Sequence, residues 1–222
     1  MESNFSVKVE FELKEISNEN VKKLNEKLSN LEGIKNYTLD VNNQRLNIET
    51  WLPLSCLHQI LEEITNSEVS LTGMGNMTDA AVVQLVNYSD IKGLIRLIQI
   101  NENVCVIDGI IHGLDNGCYE LVIFENGDLT HAFESLGSRF NSTQINNGKI
   151  GIINADQDKK SIFRWVIKNF DISDLVGRSI CICNLTKKLS CGIIARSSKI
   201  FDNFKRICLC NGKTIWSEKQ NF

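Results

Sequence analysis

Polar and apolar residues alternate with period two over residues 6–13, Ser-Val-Lys-Val-Glu-Phe-Glu-Leu, which puts Val7, Val9, Phe11 and Leu13 on one face of a strand. Ser17 then stands as an N-cap ahead of Val21, Leu24, Leu28 and Leu31 on one helical stripe, and Gly33 ends that helix. Residues 37–41 and 45–50 read as a hairpin about the turn dipeptide Asn42-Asn43. Beyond Pro53 a second helical pattern carries Leu57, Ile60, Leu61 and Ile64, and residues 69–71 close the unit as a strand. The order is βαββαβ. Residues 72–79, Thr-Gly-Met-Gly-Asn-Met-Thr-Asp, hold two glycines and little that packs, and read as a linker. From Ala80 the pattern changes to strand candidates at 81–86, 93–100, 104–111, 119–124, 149–153, 161–167, 178–183 and 189–195. Turn-rich segments separate them and no helix intervenes, so a sandwich or flattened barrel is the natural packing.

Composition narrows the function classes. With 222 residues, 42% hydrophobic and 23% charged, the chain describes an ordinary soluble protein with room for two small domains or one large one. A net charge of -3 argues against a general binder of nucleic acid or anionic membranes. The N-terminus lacks a cationic start followed by an apolar core, and no apolar run approaches the roughly 20 residues needed to span a bilayer. A cytoplasmic location is therefore expected, with the eight cysteines mostly reduced. His58, His112 and His131 are scattered, and no phosphate loop, nucleophile elbow or paired-carboxylate motif occurs.

The chemistry concentrates in cysteine. Cys208 and Cys210 form a C-x-C pair flanked by Lys205, Arg206 and Lys213, and positive neighbours favour thiolate, the ligand for Cu(I) and the nucleophile of disulfide exchange. Taken alone, such a pair reads first as two ordinary cysteines of a tail. Cys181 and Cys183 form a second C-x-C pair on one side of a strand, read as core packing with an outward Cu(I) pair as the alternative. Cys56, Cys105 and Cys118 read as packing residues, and Met74 and Met77 as surface caps rather than thioether ligands.

The βαββαβ order resembles the ferredoxin-like arrangement of small heavy-metal metallochaperones. Those domains carry Met-x-Cys-x-x-Cys in the loop from the first strand to the first helix, whereas residues 12–18 here hold no cysteine. Further along, Ile91-Lys92-Gly93-Leu94-Ile95-Arg96, Ile111-His112-Gly113-Leu114-Asp115, Asn126-Gly127-Asp128-Leu129-Thr130, Val176-Gly177-Arg178-Ser179 and Cys191-Gly192-Ile193-Ile194-Ala195-Arg196-Ser197 resemble the copper chaperones of Cu,Zn superoxide dismutase. The run from Lys205 to Trp216 is similar to the third domain of that family almost residue for residue.

The resemblance implies a ferredoxin-like domain over 1–72, a linker over 73–79, a superoxide dismutase-like Greek-key barrel over 80–197 and a C-x-C tail over 198–222. It implies a protein that docks on immature superoxide dismutase, delivers Cu(I) transiently and promotes disulfide formation through Cys208 and Cys210. A disulfide across one intervening residue would be strained, and so a ready oxidant. Gly127, Asp128, Ile193, Ile194 and Arg196 match stretches at or near the dimer-forming face, implying a heterodimer with the enzyme and allowing a homodimer. The dismutase ligands are replaced: Val122 and Phe124 stand for a His-x-His pair, Arg139 for the bridging histidine and Cys183 for the last copper ligand. No zinc and no dismutase activity are expected there. Phe133 stands where a disulfide partner of Cys191 would be, so Cys191 is expected free and buried, and Lys188 stands for a guiding arginine. A scaffold that stabilises the immature enzyme without carrying metal is the alternative function.

Overall fold

Val7, Val9, Phe11 and Leu13 are all fully buried, as the period-two pattern requires of a strand packed on one face. That strand, β1 (Val7–Leu13), precedes α1 (Asn18–Asn30), β2 (Ile34–Asp40), β3 (Arg45–Thr50), α2 (Leu54–Thr65) and β4 (Val69–Met74). The computed structural model describes residues 5–75, 79–85, 90–142, 145–185, 187–203 and 216. The chain divides into two units, one holding most of 6–77 together with the segment that follows residue 197, the other holding 78–197.

In the first unit the strands run in the order β2-β3-β1-β4, all antiparallel. The arrangement is compatible with a ferredoxin-like domain. Ser17 caps α1 by accepting a hydrogen bond from the Asn20 amide at 3.1 Å, a contact worth about 1 kcal/mol, and Leu24 and Leu28 form the buried stripe. Phe11 lies with its ring centroid 6.3 Å from that of His58 on α2.

The other face of β1 carries Glu10 and Glu12, and both are buried. Arg45 ion-pairs with Glu10, approaches Glu12 at 3.8 Å and donates to the Asn203 carbonyl at 2.6 Å, while Thr72 Oγ1 donates to the Glu10 carbonyl at 3.2 Å. The cover comes from residues 198–203. The Met74 amide donates to the Ser198 carbonyl at 3.0 Å and the Ile200 amide to the Gly75 carbonyl at 3.3 Å, so this segment runs along the free edge of β4. The sequence places Thr72 to Met74 in a linker; the structure instead continues β4 through Met74, which is buried. Gly73 explains the difference, because a Cβ there would stand 2.5 Å from the Lys199 carbonyl oxygen, so the glycine admits the pairing segment rather than loosening the chain.

The second unit contains β5 (Ala80–Gln84), β6 (Lys92–Asn101), β7 (Val104–His112), β8 (Gly117–Phe124), β9 (Lys149–Ala155), β10 (Lys160–Lys168), β11 (Ser179–Asn184), β12 (Lys187–Ile193) and β13 (Ala195–Arg196). They form two antiparallel sheets, ordered β10-β7-β6-β5-β13 and β12-β11-β8-β9. Ala81, Val83, Ile95, Leu97, Ile107 and Ile111 from the first sheet meet Leu121, Ile123, Ile153, Ile180 and Ile182 from the second in one apolar core. No helix among the described residues is long and apolar enough to cross a membrane.

Arg45 bridges two buried carboxylates, so replacing it strands their charge. Arg45→Met is expected to cost about 3–5 kcal/mol in urea unfolding, and adding Glu10→Gln and Glu12→Gln to recover more than half of that loss. An unchanged midpoint for Arg45→Met would show that the cluster is not held as described.

Candidate functional site

Alternation along β8 sends Leu121 and Ile123 into the core and Val122 and Phe124 to the opposite face. β11 lies beside it with Ile180 and Ile182 inward and Cys181 and Cys183 outward. The outward face is nonetheless closed. Val122, Phe124, Leu136, Cys181, Cys183 and Cys191 form a second apolar cluster, with Leu129 and Phe133 packed against it. All three thiols are at most 1% exposed.

Pairing brings two of them together. Cys181 stands directly opposite Cys191 across β11 and β12, while the register shifts between Ile182 and Cys183, so that Ile182 faces Ser190 and Cys183 faces Lys188. Leu189 is thus an extra residue, and this bulge keeps Lys188 and Cys191, three apart in sequence, on one face. Lys188 Nζ donates to the Phe133 carbonyl at 2.8 Å and lies 4.4 Å from the Phe124 ring centroid, fastening the covering loop over the thiols.

The electrostatics follow from this geometry. The Cys181 thiol is raised well above its ordinary range by its hydrogen bond to Cys191 and then by burial. Cys191 is lowered by the same contact with Cys181, helped by Lys188. Burial pushes Cys183 up to about 11. Cys191 is free and buried, and Cys181 and Cys183 lie in the outward cluster rather than the main core. Cys105 is buried and pushed up to about 12, as a packing residue would be. Cys118 departs from the same expectation: it lies on the outward face near the start of β8, beyond the covering loop, is exposed, and donates to Asn154 Oδ1 at 3.0 Å.

The positions compared with a dismutase centre hold few donors. Val122, Phe124 and Cys183 belong to the closed apolar cluster, and Arg139 lies 3.6 Å from Glu120. Among the described residues no group of three or more His, Cys, Asp or Glu side chains converges as a metal site. Met74 is buried in β4, while Met77, Cys208 and Cys210 lie outside the described residues.

The residues expected at a partner face gather at one end of the second unit. The Gly177 amide donates to the Ile194 carbonyl at 2.9 Å, the Ile194 amide to the Arg178 carbonyl at 2.8 Å, and Ser179 Oγ to the Asn126 carbonyl at 2.7 Å. A Cβ on Gly127 would stand 2.3 Å from the Gly177 carbonyl oxygen and 3.0 Å from Ile193 Cγ2, so only glycine permits this approach. Arg178 braces the group, donating to the Glu125 and Asp174 carbonyls and stacking 3.9 Å from the Phe140 ring centroid. Asp128 is exposed and accepts from Thr130 Oγ1 and the Thr130 amide at 2.6 and 2.8 Å, bonds that hold its carboxyl below the usual range. Ile193 is 40% exposed while Ile194 is fully buried, so only the former presents its side chain outward. Arg196 is exposed on β13, 3.6 Å from Asp79.

Sequence reasoning misses the opposition of Cys181 and Cys191, because the bulge that sets it is visible only once the strands pair. It also misses the clamp of Arg45 on Asn203, whose only signal is two glutamates on the outward side of β1.

Loss of the Lys188 latch should cost about 1.5–3 kcal/mol of loop closure, the range for hydrogen bonds to charged groups. Pulse alkylation read by mass spectrometry is expected to modify exposed Cys118 before Cys105, Cys181, Cys183 and Cys191 in the parent. In Lys188→Met, Cys183 and Cys191 should react about tenfold faster or more, with Cys105 unchanged. Equal acceleration at Cys105 would mean global destabilisation instead.

No protein-family profile matches the chain. It is similar to the copper chaperone for superoxide dismutase of Mus musculus, 32% identical over 224 residues that cover 86% of this chain and 81% of that protein. The superoxide dismutase 1 copper chaperone of Debaryomyces hansenii is 29% identical over 218 residues, covering 86% of each chain. The chloroplastic/cytosolic copper chaperone for superoxide dismutase of Arabidopsis thaliana is 30% identical over 203 residues, covering 86% of this chain and 63% of that one.

Proposed function

Since the chain belongs to the family of copper chaperones for superoxide dismutase, we propose that it docks on immature Cu,Zn superoxide dismutase, delivers Cu(I) and promotes disulfide formation through Cys208 and Cys210. The observation that carries this reading is the C-x-C pair set among Lys205, Arg206 and Lys213 in a chain with such relatives. Two thiolates one residue apart can hold Cu(I) and surrender it by stepwise ligand exchange to an acceptor site. Oxidised by an external two-electron acceptor, the same pair is a disulfide. A partner thiolate attacks one sulfur, a mixed disulfide forms, and the partner's second thiolate completes the bond and releases both tail thiols reduced.

The second domain, a dismutase-like Greek-key barrel over 80–197, serves recognition. Gly127, Asp128, Ile193, Ile194 and Arg196 belong to its docking end, with exposed Ile193 supplying apolar contact, Ile194 holding the loops from within, and Asp128 and Arg196 supplying charge. A heterodimer with the enzyme forms there, and the same face serves a homodimer. With Val122, Phe124, Arg139 and Cys183 at the ligand positions, this domain carries neither zinc nor dismutase chemistry. The first domain, over 1–72, has no thiol between β1 and α1, and the tail over 198–222 does the transfer. The reaction takes place in the cytosol.

A second reading, a scaffold that stabilises the immature enzyme without carrying metal, is favoured by that same thiol-free loop. The two separate in one experiment. Cys208→Ser/Cys210→Ser is expected to co-purify with immature superoxide dismutase as the parent does, yet to restore none of its activity when copper is limiting. Activation equal to the parent's would overturn the transfer role and leave the scaffold. An Ile193→Asp variant is expected to lose co-purification by about tenfold or more through desolvation of an unpaired charge.

A further inference from the structure

Cys181 and Cys191 face each other across paired strands and lie fully buried together in the apolar cluster on the outward face. We propose that this pair is a second Cu(I) site, separate from the tail, in which the two sulfurs bind one ion from opposite sides. Soft thiolates select Cu(I), and a two-coordinate arrangement needs no further donor. The surroundings fit that ion better than Zn(II). Zinc seeks four ligands, whereas the side chains clustered with the pair include Val122, Phe124, Leu136 and the covering Leu129 and Phe133. The remaining thiol nearby, Cys183, stands opposite Lys188 rather than opposite another sulfur.

Charge also balances. Two thiolates and one Cu(I) carry a net charge of minus one, and the ammonium of Lys188, facing Cys183 across the strands, supplies the compensating plus one. Binding breaks the thiol S–H bonds, forms two Cu–S bonds, releases the protons to water and leaves the copper oxidation state unchanged. Entry requires the loop held by Lys188 and Phe133 to open, a local event that does not unfold the sheets. The Leu189 bulge gives the site its shape, because it aligns Lys188 with the face that Cys191 occupies.

The test uses the full chain with its tail silenced, Cys208→Ser/Cys210→Ser, titrated anaerobically with Cu(I) against a chelator. About one equivalent is expected to remain bound, and X-ray absorption of that protein should show two sulfur neighbours and no nitrogen. Adding Cys191→Ala or Cys181→Ala should weaken retention by about tenfold or more, whereas Cys183→Ala should leave it unchanged. Complete loss of copper to the chelator from the tail-silenced protein overturns the site. So does retention that survives both Cys181→Ala and Cys191→Ala, or a coordination shell with nitrogen or a single sulfur. The absorption measurement needs no core substitution, so it decides even where an alanine variant fails to fold. Failure here leaves the tail's role intact, since that role is read from activation of the enzyme rather than from copper retained after the tail is silenced.

Discussion

A strand that is apolar on both faces must be covered twice, and much of the second unit follows from that requirement. β8 and β11 turn leucine and isoleucine inward to one core, and valine, phenylalanine and cysteine outward. Left to water, the outward face would forfeit about 25 cal/mol for each Å² of apolar surface. The loop bearing Leu129, Phe133 and Leu136 closes over it, and Lys188 ties that loop down by donating to a carbonyl within it. The thiols are buried because apolar packing and the Lys188 contact hold the cover in place.

The first unit solves a related problem with charge. Its sheet has helices on one face only, and the other carries Glu10 and Glu12, residues that would ordinarily mark a solvated surface. Here the chain returns at 198–203, lies along β4 and buries them, and Arg45 bridges both carboxylates and the returning backbone at Asn203. A buried ion pair contributes little net stability compared with an apolar packing. It does demand one arrangement, since any other placement of the returning segment would leave charge unpaired.

Much of this is legible in the sequence where the controlling contacts are local. The alternation of Val7, Val9, Phe11 and Leu13, the Ser17 cap, and the shared side of Cys181 and Cys183 need only neighbouring residues to be read. What escapes depends on partners far along the chain. Thr72 to Met74 reads as a linker because Gly73 lacks a side chain, while the reason for that glycine is the backbone at Lys199. The opposition of Cys181 to Cys191 requires a register, and the register contains a bulge with no compositional mark. Cys118 differs from Cys181 only in lying past the edge of the covering loop. The C-x-C of the tail is the plainest chemical signal of all, since basic neighbours and spacing are properties of the sequence itself.

The bulge at Leu189 makes the thiol cluster depend on backbone pairing rather than on the identity of one side chain. Substituting leucine with another apolar residue preserves two residues against one and keeps Lys188 and Cys191 side by side. Removing that single position would leave the two only two residues apart, which regular alternation also keeps on one face, whereas straightening the bulge with the residue retained would turn one of them to the other surface of the sheet. Residue type at 189 can therefore drift while the thiols and Lys188 stay together, so long as the backbone keeps its two-against-one pairing at that point.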